Sequence, residues 1–125
     1  MQYVVTVALL IVAVIHIVPL SGVLGRSRLE AFYGIPIADR NLEILMRHRA
    51  VLFGLLGVFI LVAAFRPELQ PAAFILGAIS VVSFLWLAKS TGGYNAQVGR
   101  VFTGDVIALV SLVVGAIAFM VQRAA

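Results

Sequence analysis

The sequence has no cysteine, which removes disulfides, thiolate metal sites and cysteine nucleophiles together. Charge is scarce as well: Asp, Glu, Lys and Arg make up 11% of the chain, against roughly 25% in a typical soluble domain. Acids are the scarcer sign, with five Asp and Glu against nine Lys and Arg. What fills the space instead is apolar: 63% of residues, with a mean hydropathy of +1.16. A single domain of 125 residues has no soluble core large enough to absorb that excess, so the composition points to an integral membrane protein. The formal net charge of +4 and pI near 10.4 fit a nucleic-acid binder in isolation. The basic residues, however, stand beside long apolar runs, where anionic lipid headgroups are the expected counter-charge and nucleic acid is not.

Four apolar runs follow in order. Residues 3–20 give a helix of ~27 Å, close to the ~30 Å hydrocarbon thickness. No Lys or Arg precedes this run and it is longer than a signal-peptide core, so it is expected to be a retained span. Pro19 is expected to end or kink it. Ala50 to Phe65 is too short to cross alone, so the second span starts near residue 42 and Arg47, His48 and Arg49 belong to its helix, with Asp39 or Asn41 as N-cap. The turn Arg66 to Pro71 leads to a third span at about 71–89, and the fourth runs over about 101–121. The expected fold is all-α: an antiparallel four-transmembrane-helix bundle over 1–125.

The one long connection, Ser21 to Arg40, is not a plain linker. Ser27-Arg-Leu-Glu30 fits a capping box, which predicts a short helix from Arg28 to Tyr33 closed by Gly34. Leu29, Phe32 and Tyr33 would dip inward from the membrane surface, either as an anchor or as a lid; the anchor is the expected role. Charge orients the whole. Arg26, Arg28, Arg40, Arg47, Arg49, Lys89 and Arg100 fall on the side of the long loop, and Arg66 and Arg123 on the other. That asymmetry places the loop in the cytoplasm and both termini outside.

Polar groups inside spans are expensive in lipid and mark sites by default. At 100° per residue, Glu43, Arg47, Ala50, Gly54, Gly57 and Leu61 share one sector of span two, with Arg49 almost opposite. Arg47 is therefore expected to turn inward along the small-residue face, paired with Glu43 at i,i+4, while Arg49 reaches out to phosphate. Span four carries Arg100, Gly104, Ala108, Ser111 and Gly115 on one stripe, with Asp105 at its edge as the only acid deep in a span. The candidate site is thus Arg47, His48, Arg100, Asp105, His16 and Glu43, with Tyr94 at the boundary. Such a polar girdle could equally serve as packing glue between helices. No HxxxH, HExxH or HxH spacing occurs, so no metal site or other cofactor is expected. Trp86 and Tyr94 read as interfacial belt residues, and Ser80 and Ser83 as hydrogen-bonded within the bundle.

At Phe32-Tyr-Gly34, at Arg47-His-Arg49 with Gly54-Leu-Leu-Gly57, and at Gly99-Arg100 followed by Asp105, the chain resembles small four-span bacterial membrane proteins of the DUF4345-like group. These are similar in outline to DoxX-like proteins. The resemblance implies a four-helix membrane bundle in a bacterial inner membrane and carries no activity over. Proteins of this appearance are sometimes labelled phosphopantetheine adenylyltransferase. That soluble α/β enzyme needs a HxGH-type nucleotide site, which this sequence lacks.

Three functions follow from these readings. The first is a binder of a lipid or other amphipathic molecule, with Arg47 and Arg100 on an anionic head and Asp105 and His16 orienting them. The second is an intramembrane enzyme using His48 or Asp105 as acid or base. The third is an assembly subunit that meets a membrane partner or a second copy through its Gly and Ala stripes.

Overall fold

The computed structural model describes residues 1–125 and is 87% helical, with no strand. Helix α1 spans Gln2–Ile17, α2 Arg26–Tyr33, α3 Arg40–Ala63, α4 Gln70–Thr91 and α5 Ala96–Ala124. Two 3-10 segments, Val18–Leu24 and Pro67–Leu69, join α1 to α2 and α3 to α4. Four stretches, Gln2–Leu24, Arg40–Ala63, Pro67–Thr91 and Ala96–Ala124, are long and apolar enough to cross a membrane.

Pro19 ends the first α-helix, at Ile17, as expected, but not the apolar stretch itself. It lacks an N–H and its ring collides with the carbonyl four residues back, so the α-helix tightens into a 3-10 segment that carries the chain on to Leu24. Seven residues is long for that geometry. The segment is held by the groove of α3: the Leu20 side chain lies over Gly54, and Ile17 lies against Gly57. The small-residue sector of α3 is therefore filled by the end of span one and not by α5.

Helix α1 packs between α3 and α5. Val5, Leu9 and Val12 are buried, and they join Ile60 of α3, Val81 of α4 and Ala108 and Leu112 of α5 in one core. Two polar links cross it. Thr6 donates to the Ala64 carbonyl at 3.1 Å, and the His16 ring bridges the Val12 carbonyl and Ser80 Oγ, both at 2.9 Å. A carbonyl only accepts, so Nδ1 of His16 carries a hydrogen, and a neutral ring takes the Ser80 hydroxyl hydrogen at Nε2.

The short helix α2 exists but is capped otherwise than the capping box requires. Its N-cap is Gly25 and no side chain caps it. The Glu30 carboxylate instead accepts from the Ile37 amide at 3.1 Å, which closes the loop behind the helix. Gly34 ends α2 in the left-handed region at φ 68, where glycine has no Cβ penalty. Leu29, Tyr33 and Ile37 are buried as a second small core, with Leu42, Met46 and Val101 packed against it. Asp39 caps α3, accepting from Asn41 N at 2.6 Å and Leu42 N at 3.3 Å.

Helix α5 begins five residues before the expected start of span four, so Gln97 and Arg100 are helical. Asn95 accounts for this. Its Oδ1 accepts from Val98 N at 2.8 Å, and its Nδ2 donates to the carbonyls of Tyr33 at 2.9 Å and Gly34 at 3.2 Å. One side chain therefore both starts α5 and fixes the end of α2 above it.

Candidate functional site

Beneath α2 lies a partly open cavity of about 330 Å³, at the low end of the ~300–1,000 Å³ usual for ligand pockets. Ile15, His16, Val18 and Pro19 form one wall where α1 passes into the 3-10 segment, and Ala31, Phe32 and Tyr33 of α2 form the cover. Arg49 and Phe53 enter from α3, and Gln97, Arg100, Val101, Gly104 and Asp105 from α5. The lining is mostly apolar, with its polar groups few and gathered.

Arg49 dominates the polar part. An Nη group donates to the Tyr33 hydroxyl, and the guanidinium carbon lies 4.5 Å from the Phe53 ring centroid and 5.2 Å from that of Tyr33. Two aromatic faces thus hold the cation by its attraction to their ring quadrupoles. No carboxylate lies within 4.0 Å of it, because the ion pairs of the chain are Arg26–Glu43, Arg47–Glu43 and Arg66–Glu68. Most donors of the planar guanidinium remain free for a ligand.

Asp105 faces the same cavity from α5. It is 8% exposed, accepts no protein hydrogen bond and joins no ion pair; the charge acting on it is that of Arg49. The partner expected from another helix is not in contact with it: Arg49 of α3 shares the cavity but forms no ion pair with Asp105. Arg100 is exposed at the cavity edge.

Tyr33 is the one titratable group of the site outside the long helices. Burial pushes its phenol above the ordinary 10.0, against the opposing pull of the Arg49 charge and hydrogen bond. It stays a neutral hydroxyl that accepts from Arg49 while its own hydrogen points elsewhere.

Of the residues expected from sequence, His16, Arg100 and Asp105 meet at this cavity. Arg47, His48, Glu43 and Tyr94 do not. The inward and outward roles of Arg47 and Arg49 are exchanged. Arg47 is exposed, with Nε donating to the Val23 carbonyl at 3.0 Å and Nη1 3.8 Å from Glu43. The reason is the continuation of span one: the 3-10 segment occupies the sector that Arg47 shares with the glycines, leaving the opposite sector to face the cavity. Glu43 also pairs with Arg26 at 3.1 Å, so it ties the start of α2 to α3 outside the site. His48 is exposed and does not meet Asp105. Tyr94 stacks on Phe102 at 5.7 Å, and Lys89 caps that ring at 5.4 Å, so these three form a surface cluster at the α4–α5 turn. His16 lines the cavity but spends both nitrogens on Val12 and Ser80, so it orients no arginine.

Sequence reasoning missed Arg49, Phe53, Tyr33 and Gln97. The first two stand at i,i+4 on one helix face, the spacing at which side chains meet, and that was the available signal. No three of the metal-capable His, Asp and Glu side chains come together. No known family, curated protein or solved structure matches the chain.

Proposed function

We propose that the chain is a four-span integral protein of a bacterial inner membrane that binds an amphipathic molecule in the cavity beneath α2. The carrying observation is an arginine without a carboxylate, clamped by Phe53 and Tyr33 inside a mostly apolar cavity. A charge in such a place is costly unless paired, and the free donors of Arg49 suit an anionic head while the aromatic walls suit an apolar body.

Membrane insertion rests on the outer surface. Val4, Val7, Ile11 and Val14 of α1, Leu52, Leu55 and Val58 of α3, Ile75, Ile79 and Val82 of α4, and Val106, Val110, Val113 and Ile117 of α5 are all exposed. A belt of that extent fits hydrocarbon and would drive aggregation in water. Seven basic residues against two put the α2 side in the cytoplasm and both termini outside, with the helices antiparallel.

The test is native mass spectrometry of the protein extracted from membranes in mild detergent. Wild type is expected to retain an amphiphile that Arg49→Gln loses. Retention unchanged by Arg49→Gln would end this reading. A reporter fused to the C-terminus and active only outside the cytoplasm checks the orientation separately.

A further inference from the structure

Resting on that reading, we propose that the ligand head is a monoanion bearing hydroxyl donors, a polyol phosphodiester of the phosphatidylglycerol class. Two features of the cavity ask for opposite things. Arg49 offers donors only, with its one protein acceptor the Tyr33 hydroxyl. Asp105 is more than nine-tenths buried, lines the same space and is offered no donor by the protein. As a carboxylate it only accepts. A bare anion would satisfy Arg49 and leave Asp105 facing negative charge; a simple cation would do the reverse. The ligand therefore carries an anionic acceptor and, beside it, O–H or N–H donors.

Charge selects between the two kinds of donor. With Asp105 ionised it balances Arg49, and Arg100 at the exposed edge leaves one positive charge over at the mouth of the cavity. A zwitterionic phosphoethanolamine head adds no net charge and leaves it so. A phosphodiester with neutral hydroxyls closes the balance, which matters most where apolar walls keep the dielectric low. The phosphate suits the planar fork of Arg49 and the exposed Arg100 at the edge, and the hydroxyls donate to Asp105. A cavity of about 330 Å³ takes the head while the acyl chains run out along the apolar helices.

The test loads the full-length protein into nanodiscs of equimolar phosphatidylglycerol, phosphatidylethanolamine and phosphatidic acid and reads the bound lipid by native mass spectrometry. Phosphatidylglycerol is expected to exceed the ethanolamine lipid roughly tenfold, the scale of one charge-assisted hydrogen bond. Asp105→Asn, near-isosteric and so expected to fold, removes one negative charge and should move the preference to phosphatidic acid, which can carry two. Arg49→Lys keeps the charge but loses the fork, and should reduce the preference; Arg123→Gln, far from the cavity, should not alter it. Soluble glycerophosphoglycerol at equal concentration should not displace the lipid. Displacement by it would make the chain a receptor for the free head and overturn the lipid assignment. Equal retention of all three lipids, lost in Arg49→Gln, would sink the head-group class and leave the binding reading standing. No retained lipid, or retention indifferent to Arg49→Gln, would sink both.

Discussion

Arg49 lies over the ring of Phe53, one helical turn further along α3, with its guanidinium carbon 4.5 Å from the ring centroid. This pairing keeps the cation in the cavity without a carboxylate. A cation–π contact is worth ~0.5–2 kcal/mol according to how far it is desolvated. Phe53→Leu keeps an apolar side chain there but removes the ring quadrupole. It should weaken ligand retention by about threefold to thirtyfold, on the scale of ~1.4 kcal/mol per factor of ten, with a smaller fall in thermal stability. Titration of bound amphiphile by native mass spectrometry, beside a melting curve in detergent, separates the two effects.

Tyr33 holds the other side of Arg49. Tyr33→Phe deletes only the hydroxyl and should cost about 1 kcal/mol, the net value of one hydrogen bond, seen as a modest fall in melting temperature. The phenol also predicts an alkaline limit. Burial raises its folded value above 10.0, so the unfolded chain ionises first as pH rises. The stability contributed by keeping it neutral is complete below pH 10 and is lost as pH climbs from there through the raised folded value. Ultraviolet titration of the tyrosinate band should show one tyrosine in wild type that ionises late and is missing in Tyr33→Phe.

Gly57 and Gly104 look alike in the sequence and should behave differently. A Cβ at Gly57 would lie 2.6 Å from Ile17 Cγ1 and 3.0 Å from the Ile17 backbone nitrogen, which cannot move aside. Gly57→Ala should destabilise by about 1–3 kcal/mol through overpacking. Nothing lies within 4 Å of a Cβ at Gly104, so Gly104→Ala should stabilise by up to ~1 kcal/mol through helix propensity while narrowing the cavity that Gly104 lines. Equal melting shifts for the two variants would contradict this packing.

Arg47→Ala removes an exposed ion pair at 3.8 Å and a hydrogen bond to Val23. Exposed pairs contribute ~0–1 kcal/mol, so stability should fall little and ligand retention should be unchanged. Retention lost in Arg47→Ala but kept in Arg49→Gln would restore the wheel argument and refute the cavity as the site.

Ser80→Ala leaves Nε2 of His16 without its 2.9 Å partner. An orphaned buried group costs ~1–3 kcal/mol, and Ser80→Thr, which keeps the hydroxyl, should restore most of the loss. Paired melting curves decide this.

The sequence by itself determined the class and the number of long helices, since 63% apolar residues broken at three places by Pro, Gly and charge permit little else. It also determined the local signals: Asp39 as a cap and Gly34 as a stop, both short-range backbone chemistry. Asn95 was not read as a cap, and its part in starting α5 and in bonding across the chain to Tyr33 showed only in the structure. Which arginine faces inward was decided only by tertiary structure. A helix wheel states that Arg47 and Arg49 point apart, but not which side a neighbour fills. The 3-10 continuation of span one fills the side of Gly54 and Gly57, because a glycine groove admits Leu20 and Ile17 more closely than the opposite face could. Arg49 is then left to meet Tyr33 and Phe53 in the remaining space, in the cavity that Asp105 also lines.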